Sequence, residues 1–206
     1  LGISILIFIV YLLFWPIDIK PVVWKPQEAT NLYSNIPNSY LKTTKIFAKG
    51  EGIGPEDIDV DGKGRIYAPF EDGRIMRYDA DGKNGELFVN TGGRPLGIEF
   101  DNNGNLIICD AKKGLLLVSP HKKLETLLTS VDGISLGFTN DVDIAKDGTI
   151  YFTDASSKWH IEDYRSDIIE HIPYGRLISY NPISKVAKVI KDDLYFANGV
   201  AVSSDQ

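Results

Sequence analysis

The chain has 206 residues, of which 43% are hydrophobic and 24% charged, so it has the composition of a folded domain with a sizeable core. Its net charge of −6 argues against a nucleic-acid partner, because polyanion binders carry a basic patch that offsets phosphate repulsion. The one cysteine, Cys109, excludes an internal disulfide. Cys109 lies in the apolar run LIICD, which favours a buried structural thiol.

The N-terminal segment, residues 1–16, is apolar. Its run LGISILIFIVYLLFW contains no charge and ends at Pro16. The run is slightly short of the roughly 20 residues that span a bilayer. Tyr11, Trp15 and Trp24 are placed to form an interfacial aromatic belt. No small-x-small cleavage motif follows, so we expect a single uncleaved anchor in the lipid bilayer; a cleaved signal peptide and a buried core helix are the alternatives.

Residues 17–41 follow the anchor and are rich in proline. Pro21, Pro26 and Pro37 break the segment, which shows little hydrophobic periodicity. This pattern predicts an extended linker, and it places the folded domain at residues 42–206.

The folded part repeats itself. Each repeat has an alternating strand, a polar turn that ends in glycine, and a second apolar strand; the repeats lie at 57–79, 97–119 and 141–159. Their turn glycines, Gly64, Gly104 and Gly148, are 40 and 44 residues apart (104 − 64 and 148 − 104), the spacing of a four-stranded propeller blade. The sequence therefore predicts an all-β chain with about three blades of a β-propeller and the start of a fourth. A two-sheet sandwich is the alternative, but it has no reason to repeat so regularly.

The third repeat carries an insertion of residues 157–171 before its next strand. This stretch is too long for a hairpin turn and has room for one short helix. Insertions of this kind emerge on one face of a propeller, so we expect a lid over the channel that includes Trp159, His160 and His171.

Counting back eight residues from each turn glycine selects one position in every repeat. These slot positions are Glu56, Leu96 and Asn140, and the next repeat, FANGVAVSSDQ, adds Asn198. Equivalent positions of repeated blades point to equivalent places, and the inner strands face the central channel. We therefore expect Glu56, Asn140 and Asn198 to converge.

One carboxylate and two carboxamide oxygens form a hard ligand set that suits Ca²⁺ better than zinc or copper. Asp57 and Asp141 each follow a slot residue, and strand alternation turns them away, so we expect them to support the ligands. The alternative is that the slot residues only satisfy backbone groups at the channel mouth.

The stretches GPEDIDVDGKGRIY, FTNDVDIAKDGTIYFTDASSKW and FANGVAVSSDQ resemble the strictosidine synthase-like branch of the calcium-dependent six-bladed propellers, a superfamily that also holds gluconolactonases and paraoxonases. The nearest resemblance is to the adipocyte plasma membrane-associated protein subgroup. The family's metal-binding Glu of GPE, Asn of ND and Asn of NG fall on Glu56, Asn140 and Asn198. The later blades, with a further metal-binding Asp and the catalytic Glu of strictosidine synthase, have no counterpart in these 206 residues.

The resemblance implies a calcium-dependent hydrolase of small ester or lactone substrates, with its propeller on the non-cytoplasmic side of a membrane. A non-catalytic, metal-stabilised binding propeller and a carbon–nitrogen condensing enzyme of strictosidine synthase type are the alternatives. No catalytic residue is assigned, because His121, His160 and His171 have the sequence context of surface histidines. No GxSxG motif is present, which argues against a serine hydrolase.

Overall fold

The computed structural model describes residues 2–15, 18–23, 25 and 39–205. Helix α1 covers Gly2–Phe14 and has no buried residue. Among the described residues, no helix is both long and apolar enough to cross a membrane. In the predicted linker, residues 18–23, 25 and 39 have no helix or strand, and a short 3₁₀ turn at Tyr40–Thr43 begins at its end, whereas residues 17, 24 and 26–38 lie outside the described part.

Three four-stranded antiparallel sheets follow one another along the chain, and in each sheet strands adjacent in sequence pair. The first blade contains β1 (Asp59–Val60), β2 (Ile66–Pro69), β3 (Arg74–Tyr78) and β4 (Glu86–Asn90); the second contains β5 (Pro95–Phe100), β6 (Leu106–Asp110), β7 (Gly114–Val118) and β8 (Leu124–Leu128). After a ribbon of β9 (Ser130–Val131) and β10 (Ile134–Ser135), the third contains β11 (Thr139–Ile144), β12 (Ile150–Asp154), β13 (Gly175–Asn181) and β14 (Val186–Leu194). The prediction of repeated four-stranded units is confirmed.

The turn between the first two strands of each blade has the same construction. Gly64, Gly104 and Gly148 all have positive φ, between 77° and 85°. Each donates its N–H to the carbonyl three residues earlier, at 2.8 to 3.0 Å. Only glycine adopts this backbone without strain, so the three glycines fix the hairpins and keep the blades in a common register.

The core lies between successive sheets. Ile98 and Leu106 of the second blade pack with Tyr67 and Phe88 of the first in one buried cluster. The other face of the second blade packs on the third, where Cys109 meets Phe152 in a second cluster. Cys109 is fully buried, as predicted. Each sheet is therefore covered by the next, which is how propeller blades stack around an axis.

Carboxylates on the inner strands bind the backbone of the next inner strand. Asp57 accepts a hydrogen bond from Ile98 N at 2.8 Å, and Asp59 accepts one from Phe100 N at 2.7 Å. The third blade repeats this arrangement with the chain that follows it, where Asp141 binds Val200 N at 2.8 Å and Asp143 binds Val202 N at 2.6 Å. These bonds satisfy backbone donors that no strand pairs.

The second blade has Gly97 where the first and third blades have Asp57 and Asp141. A Cβ atom at Gly97 would lie 2.6 Å from Cα of Asp141 and 2.9 Å from the carbonyl oxygen of Asn140. These are backbone atoms of β11, which cannot turn aside. The close approach of β5 and β11 therefore requires glycine at this position.

We expect Gly97→Ala to destabilise the propeller domain by about 2–3 kcal/mol, because the new methyl group must force two inner strands apart. The measurement is the urea unfolding midpoint at unchanged slope. Gly62→Ala is the matched control: no atom lies within 4 Å of its added Cβ, and its stability should stay within about 0.5 kcal/mol of wild type. Equal stability of the two variants would show that the strands have room to separate.

Candidate functional site

A pocket of about 450 Å³ lies where the inner strands begin. Glu56, Asn140 and Asn198 all line it. The fourth slot residue, Leu96, is 1% exposed and belongs to an apolar cluster with Phe138. The structure thus brings together the three polar residues that the repeat register selects.

Four further pocket residues each lie two positions before a slot residue in the sequence. These residues are Gly54, Arg94, Phe138 and Phe196, and all of them line the pocket. Phe138 and Phe196 meet edge to face, with ring centroids 5.6 Å apart. The pocket therefore has a polar side made by the slot residues and an aromatic wall made by the preceding ones.

The third blade holds its slot residue firmly. Asn140 is 4% exposed. The hydroxyl of Thr153 accepts a hydrogen bond from Asp141 N at 3.1 Å and donates one to the carbonyl oxygen of Asn198 at 2.6 Å. One side chain therefore ties the backbone beside Asn140 to the backbone of Asn198, which fixes the distance between these two slots.

Arg94 brings a positive charge to the pocket. Its Nη2 atom lies 3.9 Å from Oε2 of Glu56, which is too long for a direct hydrogen bond, and its Nη1 atom donates to the carbonyl oxygen of Pro95 at 3.2 Å. The Glu56 side chain is 44% exposed, so solvent screens the pair. The Glu56 carboxylate therefore lies near the Arg94 guanidinium but forms no hydrogen bond with it.

Asp57 and Asp141 do not line this pocket. Their carboxylates bind the backbone of the next inner strand, and together with Asp59 and Asp143 they interact electrostatically with Glu99. Burial raises the pKa of Asp141, with smaller contributions from Asp57 and Asp143. Burial and the neighbouring carboxylates, first Asp59 and then Asp143, raise the pKa of Glu99 to about 7. The acids of the inner strands repel one another, and this repulsion adds to burial in raising the pKa values of Glu99 and Asp141.

The insertion contains a 3₁₀ turn at Ile161–Asp163 and helix α2 at Tyr164–Glu170. It reaches the pocket through Ile161 and Tyr164. The three predicted lid residues bond elsewhere: Trp159 donates to Glu170, His160 Nδ1 lies 2.9 Å from the carbonyl oxygen of Gly137, and His171 stacks on Tyr195.

Comparison with known proteins agrees with this architecture. Residues 140–206 match the family model described as "Strictosidine synthase", and residues 36–78 match "Strictosidine synthase-like, N-terminal". The protein strictosidine synthase-like 7 of Arabidopsis thaliana is 41% identical over 186 residues, which cover 87% of this chain and 50% of that protein. The chain belongs to the strictosidine synthase-like family.

Another relative of this strictosidine synthase-like chain is the adipocyte plasma membrane-associated protein of Rattus norvegicus, 36% identical over 190 residues that cover 82% of the chain and 49% of the relative. A gluconolactonase from Xanthomonas campestris has the same fold, with a TM-score of 0.56 at 17% identity over 68% of this chain and 48% of that one. The chain spans about half the length of the curated relatives it matches.

A second depression of the strictosidine synthase-like chain, of about 570 Å³, lies at the opposite ends of the inner strands, beside the hairpin turns. Three of its charged groups are already engaged: Asp61 accepts from Arg65 Nε at 2.7 Å and from Tyr67 at 3.1 Å, and Arg77 pairs with Glu86. Burial acts to raise the pKa of Asp61, but these hydrogen bonds outweigh it and hold the value at about 2. The slot pocket is therefore the better candidate site.

Sequence reasoning missed Glu71, Arg94, the two phenylalanines of the wall, and the two insertion residues at the pocket. The same repeat register, counted to two positions before the slot, selects Arg94, Phe138 and Phe196. No comparable signal marks Ile161 and Tyr164, because the insertion occurs once and has no register.

We expect Glu99→Gln to stabilise the propeller at high pH. Because the folded state raises the pKa of Glu99 from 4.5 to about 7, wild type loses stability as the pH rises through this range. After a discount for the solvent-exposed part of the side chain, the variant should be about 1 kcal/mol more stable than wild type at pH 8, with a smaller gap at pH 5. Urea unfolding at the two pH values measures this, with Asp132→Asn in the exposed β9–β10 turn as control. A difference in stability between Glu99→Gln and wild type that is the same at pH 5 and pH 8 would contradict the raised pKa of Glu99.

Proposed function

We propose that this chain forms the pocket-bearing part of a membrane-attached, calcium-dependent hydrolase of ester or lactone substrates. The observation that carries the proposal is the convergence of Glu56, Asn140 and Asn198 on one pocket. These side chains supply a carboxylate and two carboxamides, which are hard oxygen donors. The gluconolactonase with the same fold is the reason to consider lactones.

The residues present fit a calcium ion. In the described part of the chain, no other side chain hydrogen-bonds the carboxamide of Asn140, although this residue is 4% exposed. Among the described residues, the buried side-chain atoms without a partner are Asp167 Oδ2 and Arg176 Nη1, so the Asn140 carboxamide is open to the pocket, where a ligand can contact it. Among the described residues, no group of three or more His, Cys, Asp or Glu side chains could hold a metal ion. When bound, Ca²⁺ would supply Lewis-acid polarisation of a substrate carbonyl.

The other pocket residues have separate tasks in this proposal. Phe138 and Phe196 form an apolar wall for the acyl or lactone part of the substrate and exclude water from it. The guanidinium of Arg94 donates to the substrate oxygen on which negative charge develops. No histidine is among the residues that line the pocket in the described part of the chain, and we assign no general base.

Membrane attachment is the second part of the proposal. Helix α1 is apolar throughout and wholly exposed, and the relative from Rattus norvegicus is named for association with the plasma membrane. Exposed apolar side chains in such number are costly in water and favourable in lipid. We propose attachment through this segment, with the propeller on the non-cytoplasmic side, and six blades in the complete domain.

The second candidate function is a non-catalytic binding propeller in which the metal has a structural role. The observation that favours it is the lack of a pocket histidine in the described residues. The two functions differ in turnover and not in metal binding.

The full-length protein should bind Ca²⁺ at least about 100-fold more weakly as Asn140→Ala than as wild type, because the pocket loses one of three donors. Calorimetry measures the affinity, and hydrolysis of an aryl ester and an aliphatic lactone, with calcium and with chelator, measures the activity. Asn103→Ala, in the exposed hairpin turn of the second blade, is the matched control.

Calcium-dependent turnover that disappears in Asn140→Ala and persists in Asn103→Ala would support the hydrolase. Calcium binding at the slots without turnover of either substrate would favour the binding propeller. Equal calcium affinity in all three proteins would refute the proposed ligand set.

A further inference from the structure

The segment that follows α1 is held against the insertion of the third blade. Residues 18–23 are called the strap here. Lys20 N donates to Oε1 of Glu170 at 3.0 Å, and Val22 N donates to the carbonyl oxygen of Glu170, also at 3.0 Å. Nζ of Lys158 donates to the carbonyl oxygen of Asp18 at 3.3 Å. Three hydrogen bonds thus join the strap to the insertion.

Glu170 is the centre of this attachment. It is 0% exposed, and its two oxygens accept from Nζ of Lys158 at 2.8 Å each. Its Oε2 also accepts from Nε1 of Trp159 at 2.8 Å, and the Lys158 ammonium lies over the Trp159 ring, 4.6 Å from the centroid. A buried carboxylate with these partners is a fixed acceptor, so the insertion offers the strap a preformed binding site.

Covalent reach places the apolar segment near the same spot. Asp18 follows Trp15 by three residues, and an extended chain spans at most about 3.6 Å per residue, so their Cα atoms lie within about 11 Å of each other. Because Asp18 contacts Lys158, the apolar run must end beside the insertion.

The insertion also presents apolar side chains to solvent beside the pocket. Ile168 and Ile169 of α2 are 55% and 59% exposed. Ile161 and Tyr164 of the same insertion line the slot pocket. The end of the apolar segment, an exposed apolar patch and the pocket mouth therefore share one face of the propeller.

We propose that the strap holds the propeller with this face against the lipid bilayer, so that the slot pocket takes amphiphilic esters or lactones that partition into the membrane. Ile168 and Ile169 insert into the membrane–water interface. Substrate passes Ile161 and Tyr164 to reach the pocket. This inference rests on the membrane attachment and the hydrolase activity proposed above.

Orientation is measured on the full-length protein in phosphatidylcholine vesicles that contain a lipid-borne fluorescence quencher. A cysteine that carries a polarity-sensitive fluorophore replaces Ile169 in one sample and Asn103, on the turn face, in the other. Cys109 is buried, and burial raises the pKa of its thiol, so it does not compete for the label; cysteines outside these 206 residues are replaced by serine. We expect at least about twofold stronger quenching at position 169 than at position 103.

A change confined to the strap tests its role without altering the propeller. Lys20→Pro with Val22→Pro removes the two backbone N–H donors that bind Glu170. Val23→Pro is the matched control, because Val23 makes no hydrogen bond in the described structure. The double variant should lose the difference in quenching between the two labels. It should also lower kcat/KM for a long-chain lactone dissolved in the vesicles by about tenfold, with unchanged turnover of a short, water-soluble ester.

The outcomes separate this inference from the proposed function. Equal quenching at positions 103 and 169 in protein that floats with the vesicles overturns the inference and leaves the hydrolase intact. Protein that does not float overturns both the anchor and the inference. Strong quenching at 169 without turnover of either substrate supports the orientation and refutes the hydrolase. A double variant that behaves like Val23→Pro shows that the strap does not set the orientation.

Discussion

The structure depends on hydrogen bonds between inner-strand carboxylates and the backbone of the next blade. An inner strand is the edge of its sheet, and it faces the channel with N–H groups that no strand pairs. Asp57 and Asp59 are two residues apart in the sequence, so their side chains point to the same side of the strand. The N–H groups that they bind, Ile98 N and Phe100 N, are also two residues apart, so the two spacings match. Asp141 and Asp143 repeat the match with the chain after the third blade. These bonds set the offset between neighbouring inner strands, and the offset decides which residues meet at the pocket.

The same bonds create an electrostatic cost. Each pair adds two carboxylates to the inner strands, and a pair on every blade would place too many like charges within a short distance. The second blade departs from the pattern at two positions. Gly97 leaves space for Asp141, and Glu99 has a pKa raised to about 7. One proton held on Glu99 near neutral pH relieves part of the repulsion. The negative potential that remains also favours a cation in the adjoining slot pocket.

Most of the fold and the three polar slot residues of the pocket follow from the sequence because the chain repeats. Turn glycines such as Gly64 and Gly104 mark the register, and the register alone selects Glu56, Asn140 and Asn198, which the structure places on one pocket. The strap contacts could not be predicted, because they join segments about 150 residues apart that share no pattern. The pocket residues of the insertion could not be predicted either, because its single short helix has no repeat to compare with. Its composition suggested aromatic and histidine lid residues, whereas Ile161 and Tyr164 are the residues that line the pocket.

The insertion is the element that connects the pocket to the N-terminal segment. Its base is closed by the hydrogen bond from Ser157 N to the carbonyl oxygen of Tyr174 at 3.1 Å, next to β12 and β13, which pair from Ile150 with Tyr180 to Asp154 with Arg176. Burial of Glu170 requires Lys158, since an unpaired buried carboxylate would cost several kcal/mol. That requirement is met inside the insertion, so the acceptor for Lys20 N exists whether or not the strap is bound. The strap then adds two backbone donors, Lys20 N and Val22 N, and one backbone acceptor, the carbonyl oxygen of Asp18. Such bonds contribute about 1–3 kcal/mol each, strong enough to bias the orientation of the propeller and weak enough to release it.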